Sequence, residues 1–295
     1  MQALWMLLAS FFFSSMAVGI KFASTGYGMG ELLFYRGLVS VVFMGAVMRS
    51  RGVPLASPVP WMHVWRNVIG VTSMSCWFYA IAHLPLATAM TLNYMSGVWI
   101  AAFVLGGALL YGKLDRQAPL MATLLASFAG VVLMLRPSLN QDQLFAGLIG
   151  LISGLCAALA LMQVAALGRA GEPEARTVFY FSIGTTLAGL IGVGLQGFQD
   201  MRAIPWQTTA WLIPIGIFAS LGQWSMTRAY SRSATLLVAN LQYAGVIFAA
   251  LFSLLLFGEQ ISWMSWLGIA LIISSSIAAT ALRARALPNT PVDDR

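Results

Sequence analysis

Ten apolar stretches of about 20 residues follow one another along the 295-residue chain, separated by short clusters of glycine, proline and charge. They fall at 3–22, 30–48, 63–82, 87–110, 117–135, 145–167, 175–196, 209–229, 234–257 and 263–282. At roughly 1.5 Å per residue, a helix of that length crosses the hydrocarbon core of a bilayer. In hydrocarbon a segment must close its backbone hydrogen bonds internally, and the alternation of apolar and polar residues expected of a barrel strand is absent. The spans are therefore expected to be helices. The breaks have physical causes: Arg49-Ser50-Arg51-Gly52-Val53-Pro54 ends the second span, Lys113-Leu114-Asp115-Arg116 the fourth, and Arg169-Ala170-Gly171-Glu172-Pro173 the sixth. The predicted fold class is an all-α integral membrane protein with ten transmembrane helices.

Composition removes the other classes. Hydrophobic residues make up 59% of the chain and charged ones 8%, against about 25% charged in a soluble domain. Twenty-five Asp, Glu, Lys and Arg side chains cannot wet the surface of a globule this size. A soluble enzyme, a nucleic-acid binder and a disordered chain are all excluded. Cys76 and Cys156 lie inside apolar runs and are expected to be packed thiols. The start, Met1-Gln2-Ala3-Leu4-Trp5, lacks a basic region, and the apolar run after it is too long for a cleavable signal, so it is read as the first span.

The net charge of +7 has a direction. With the N-terminus inside, the cytoplasmic side collects Arg49, Arg51, Arg66, Lys113, Arg116, Arg169, Arg176, Arg228, Arg232, Arg283, Arg285 and Arg295. The other side collects Lys21, Arg136 and Arg202, while Arg36 falls within a span. Twelve against three puts both termini in the cytoplasm of a bacterial-type inner membrane. A shift of about 147 residues superposes Trp77 on Trp224, Ala87-Thr88 on Ala234-Thr235, Asn93 on Asn240, Leu120 on Leu267 and Ser127 on Ser274. Slightly smaller shifts bring Phe34-Tyr35 onto Phe179-Tyr180 and Gly112-Lys113 onto Gly258-Glu259. Residues 1–140 and 141–283 then form two five-helix repeats, followed by a short cytoplasmic tail at 284–295. Five is odd, so the second repeat enters the membrane inverted. That is the architecture of secondary transporters, with the substrate site near the midplane between the halves.

The chain resembles the ten-helix EamA-type family of the drug/metabolite transporter superfamily over about residues 3–282. The resemblance rests on Glu31-Leu32-Leu33-Phe34-Tyr35-Arg36-Gly37, on Tyr79-Ala80-Ile81-Ala82-His83-Leu84-Pro85-Leu86-Ala87-Thr88, on the counterpart Ala229-Tyr230-Ser231-Arg232-Ser233-Ala234-Thr235, and on Leu256-Phe257-Gly258-Glu259. Lys113 stands where the family often carries a glutamate like Glu259, a departure from the pattern. The resemblance implies a transporter of metabolites: amino acids and related compounds outward, or cofactors and nucleoside-like compounds inward.

The candidates for substrate contact are Arg36, Trp77, Asn93, Tyr94, Trp99, Gln163, Trp224, Asn240 and Tyr243. Arg36, about six residues into its span, could hold a carboxylate through its fork of donors, pair with Glu31, or snorkel to the interface. Asn93 and Asn240 match across the repeat and need partners on a helix or a ligand. Trp77, Trp99 and Trp224 lie deeper than Trp5, Trp61, Trp65, Trp206, Trp263 and Trp266, which read as interfacial belt residues. Gln163 could touch substrate or a neighbouring helix. Lys21 and Glu259 are read as gate or structural residues at span ends.

No cofactor or metal site is predicted. His63 and His83 fall at or near span ends with no carboxylate near them in sequence, which leaves little for enzyme chemistry. The expected partners are a small-molecule substrate and the lipid bilayer, with a homodimer left open. The leading expectation is alternating-access export of an amino acid or an amino-acid-derived compound, which could include a metallophore. Uptake of a cofactor-like or nucleoside-like solute is the alternative, and an integral-membrane enzyme stands outside both.

Overall fold

A computed structural model describes residues 2–110, 122, 125–126, 129–130, 133, 141–199, 204–232, 238, 241–242, 244–258 and 261–286. The described elements are helices: α1 (Gln2–Ala23), α2 (Met29–Ser50), α3 (Pro60–His83), α4 (Leu86–Tyr94), α5 (Ser96–Leu110), α6 (Gln141–Arg169), α7 (Glu174–Gln196), α8 (Trp206–Ala210), α9 (Leu212–Arg232), α10 (Ala244–Phe257) and α11 (Trp263–Ala286). Nine of the ten expected spans coincide with them, the fourth as α4 and α5 and the eighth as α8 and α9. The fifth, at 117–135, lies mostly outside the described residues.

The helices stop where the sequence changes character. Gly52, at φ 63°, turns the chain away from α2, and Gly171, at φ 79°, does so after α6; few side chains tolerate that conformation. Pro60 opens α3, where its missing N–H costs nothing. Glu31 ties down the start of α2, accepting from its own Gly28 N–H at 3.0 Å and from Gln199 N–H at 2.9 Å. Lys21 closes the other end of α3, its ammonium donating to the Leu84 carbonyl at 2.9 Å and the Ile81 carbonyl at 3.4 Å.

Four described helices are long and apolar enough to cross a membrane: Trp5–Ala23, Met29–Ser50, Leu144–Arg169 and Glu174–Leu195. They turn large apolar side chains outward, among them Val42, Ile191 and Leu195, as a lipid-facing surface should. The tryptophans at helix starts, Trp61, Trp206 and Trp263, are about three-quarters exposed. By contrast α3 and α9 carry polar residues along their length and bury them inward, including Arg66, Ser73, Ser220 and Gln223. Cys76 and Cys156 are free and half-buried.

The helix pairs follow a rule. The first span packs on the eighth, and the third packs on the sixth. The ninth packs on the first, the fourth on the sixth, and the second on the seventh. Exchanging each span with the one five places later maps this set onto itself. The second and seventh meet most closely. A Cβ added at Gly37 would lie 2.6 Å from Thr186 N, one at Gly189 2.6 Å from Phe34 Cα, and one at Gly30 2.9 Å from Gly192 C. Backbones approach this far only where side chains are missing on both sides. Hydroxyls crosslink the neighbouring pairs: Ser220 donates to Ser40 at 2.9 Å, Ser40 to the Gly216 carbonyl at 3.1 Å, and Ser73 to the Ser153 carbonyl at 2.9 Å.

Gly37→Leu or Gly189→Leu should destabilise the protein by about 1–3 kcal/mol or more through overpacking, read as a lower unfolding temperature in detergent. Gly194→Leu is the control, because an added Cβ there meets nothing within 4 Å. Equal behaviour of all three variants would contradict the close seam.

Candidate functional site

A cavity of about 520 Å³, counting its open mouth, lies between α1, α3, α4, α6, α7, α9 and Gln242. Helix α3 supplies its longest wall. Arg66, Gly70, Ser73, Met74 and Trp77 all line it, and their spacing of four, three, one and three residues makes one helical face. From α6 come Ala157, Ala160 and Leu161, two of them small enough to leave space. Phe13, Phe181, Tyr94 and Met226 add aromatic and soft apolar surface, and Asn93, Gln223 and Gln242 add amides.

The amides are positioned by neighbours. Asn93 Nδ2 donates to Ser153 Oγ at 3.0 Å, and the Ser153 hydroxyl donates to the Gly150 carbonyl at 2.7 Å. Gln242 accepts from the Tyr230 hydroxyl at 3.0 Å and donates to Ser96 Oγ at 3.4 Å. The fourth span breaks at this level: α4 ends at Tyr94 and α5 starts at Ser96. Gly154 permits the approach, since a Cβ there would stand 2.5 Å from the Leu92 carbonyl oxygen. An interrupted helix beside a cavity is a recurring way to present backbone and side-chain groups to a cargo.

Arg66 differs from the other polar lining groups. It is 4% exposed, its Nε and Nη1 have no hydrogen-bond partner, and its guanidinium carbon lies 4.1 Å from the Phe181 ring centroid. Gly70 makes room for it, because a Cβ there would collide with Nη1. The Trp77 indole N–H is likewise buried without a partner.

The structure brings Trp77, Asn93 and Tyr94 together in this cavity and places other candidates elsewhere. Arg36 is buried at 1% exposure but lies behind the wall, donating to Thr185 Oγ1 at 3.3 Å with its guanidinium carbon 5.6 Å from the Phe181 ring centre. Its proposed partner Glu31 is engaged at the start of α2 instead. The face of Trp224 is covered by Arg51 at 4.5 Å, and the ring packs beside Met44 and Met48. Trp99 and Gln163 are half-buried outside the lining. Lys21 caps α3. Asn240, Tyr243 and Glu259 lie outside the described residues.

Two readings of the sequence are corrected. Arg66, counted with the loop charges, is the seventh residue of α3 and is buried. His63, expected to lack a carboxylate partner, has one 109 residues away: Nε2 stands 3.2 Å from Glu172 Oε2. The Glu172 carboxylate also pairs with Arg176 Nε at 3.0 Å and accepts from Ser57 Oγ at 2.7 Å. Arg176 reaches the Ala56 carbonyl, and the Tyr180 hydroxyl donates to the Leu55 carbonyl at 2.8 Å. This buried network fastens the α2–α3 connection to the start of α7. Among the described residues no three His, Cys, Asp or Glu side chains gather as a metal site.

Fold and cavity define a multi-pass membrane protein built around a central pocket for a small molecule. The chain belongs to the EamA-like transporter family, whose family model matches residues 144–281. It is 32% identical over 273 residues to the pseudopaline exporter of Pseudomonas aeruginosa, covering 92% of this chain and 93% of the relative. The riboflavin transporter of Rhizobium johnstonii is 25% identical over 279 residues, covering 93% and 89%. A protein of known crystal structure shares the fold with a TM-score of 0.69 at 19% identity, covering 95% of this chain and 98% of its own.

Removing Glu172 strands Arg176 as a buried cation, so Glu172→Ala should destabilise the protein by about 3–5 kcal/mol and Glu172→Gln by less. Thermal unfolding in detergent measures both. Wild-type stability in the Ala variant would show that the network contributes nothing.

Proposed function

We propose that this transporter exports an amino acid or an amino-acid-derived compound across the inner membrane by alternating access between two inverted five-helix repeats, 1–140 and 141–283. The observation that carries this reading is the cavity: helices of both halves meet in it, and it offers amides, aromatic faces and a cation. The pairing of spans, unchanged when each is exchanged with the one five places later, supports the repeat. The distribution of basic residues, eleven against three once the buried Arg66 is set aside, supports cytoplasmic termini. The outward direction is supported by the exporter among its relatives. Uptake of a cofactor-like solute is the second reading, favoured by the relatives named riboflavin transporters and by the aromatic walls of Phe13, Trp77, Tyr94 and Phe181.

Untargeted metabolite profiling of cells and medium, with the gene deleted and overexpressed, tests the direction. Export predicts a compound that leaves the cells on overexpression and accumulates inside on deletion; the reverse pattern supports uptake. For the topology, a C-terminal reporter that fluoresces only in the cytoplasm should be bright, and one active only in the periplasm should be silent. The opposite pair of results would overturn the orientation.

A further inference from the structure

We propose that Arg66 binds an anionic group of the cargo, so that the transported molecule carries a carboxylate; the inference rests on the central cavity being the cargo site. A guanidinium at 4% exposure with two nitrogens unpartnered is an unfinished interaction. Proteins bury such a group only with a partner, because an uncompensated charge in a low-dielectric interior is costly. Among the described residues the protein does not supply one. Glu31 serves the α2 start and Gln199, Glu172 serves His63, Arg176 and Ser57, and Glu174 pairs with Arg232 at 2.9 Å. None of these carboxylates lines the cavity, and the Phe181 face meets Arg66 on one side only as an aromatic surface.

Arginine presents a planar fork of donors that matches two carboxylate oxygens. Gly70 leaves room for the guanidinium itself, since a Cβ there would collide with Nη1. Along the same face of α3, Trp77 stands eleven residues further on, roughly 16 Å by the helical rise, with its indole N–H unpartnered. Asn93, Gln223 and Gln242 line the same cavity. A cargo anchored at Arg66 by its carboxylate would extend its polar body past these amides toward Trp77. An anion-free ring compound would leave the guanidinium bare, which sets this inference against the uptake reading.

The test is equilibrium binding to the full-length protein in lipid nanodiscs, read by mass spectrometry of retained compounds. The probes are the L-amino acids, their carboxamide counterparts, malate, citrate and riboflavin. The expected result is that at least one carboxylate is held roughly thirtyfold or more tighter than its amide, and that Arg66→Met abolishes the difference while Arg66→Lys keeps part of it. A second readout separates binding from architecture. Removing an unpaired buried charge should leave the unfolding temperature of the empty Arg66→Met protein unchanged or raised, whereas a structural role for Arg66 predicts that it falls. Equal retention of acid and amide, an acid preference that survives in Arg66→Met, or a fall in its stability overturns the inference. Retention of riboflavin or amides that is lost in Trp77→Ala would overturn it while leaving the cavity as the cargo site; retention of nothing by the wild type would count against both.

Discussion

Every polar group carried into hydrocarbon must find its partner inside the protein, and this requirement sorts the molecule into finished and unfinished parts. The finished part is large. Serines on α2, α3, α6 and α9 close on one another or on carbonyls, Glu31 and Lys21 satisfy helix ends, and Glu172 gathers His63, Arg176 and Ser57. The unfinished part includes the guanidinium of Arg66 and the indole N–H of Trp77, both on the cavity face of α3. Buried groups left open on a cavity wall are where a ligand has something to complete.

The seam between α2 and α7 sets the frame in which that face sits. With glycines on both sides, the two backbones touch and leave no room for adjustable side chains between them. The pairs on either side, α1 with α9 and α3 with α6, each join one span of the first half to one of the second. The cavity lies among these crossed pairs, walled by α1, α3 and α4 from the first half and by α6, α7 and α9 from the second. A rocking motion between halves would open it alternately to either end. The Glu172 network holds the α2–α3 connection against α7 at the end where the basic residues gather, so opening at that end would have to loosen or carry it.

Most of the fold was legible because lipid leaves a chain few choices. Length and hydropathy placed nine of the ten spans among the described residues, and Gly52 and Gly171 fall in the clusters that end the second and sixth. The site was legible only in part, and the reason is geometric. Asn93 and Trp77 drew attention as polar or bulky groups deep in apolar runs. Arg66 did not, because rules that count basic residues assign any arginine near a span end to the loop. The sequence already held the corrective signal. Arg66, Gly70, Ser73 and Trp77 fall on one helical face, a polar and small-residue stripe that an arginine snorkelling to water has no need of. The partnership of His63 with Glu172 was out of reach, since 109 residues separate them and only the packing of α3 on α7 brings them together. Arg36 and Trp224 stand apart from the cavity. Each is unusual for its depth, but Arg36 is turned toward Thr185 behind the wall and Trp224 is covered by Arg51.

On the proposal that Arg66 holds the cargo's carboxylate, the empty and loaded protein differ in more than occupancy. Occluding the empty cavity would shut an unpaired guanidinium away from water, at a cost of several kcal/mol for an unneutralised ion. Occluding the loaded cavity replaces water with a paired anion and avoids most of that cost. The closed intermediate between the two open states would therefore be favoured with cargo bound and disfavoured without it. A carrier with that bias returns empty slowly unless water, a proton-carrying cargo or a second anion accompanies the guanidinium on the way back. The placement of an uncompensated charge on the cavity wall would thus tie the conformational cycle to the cargo.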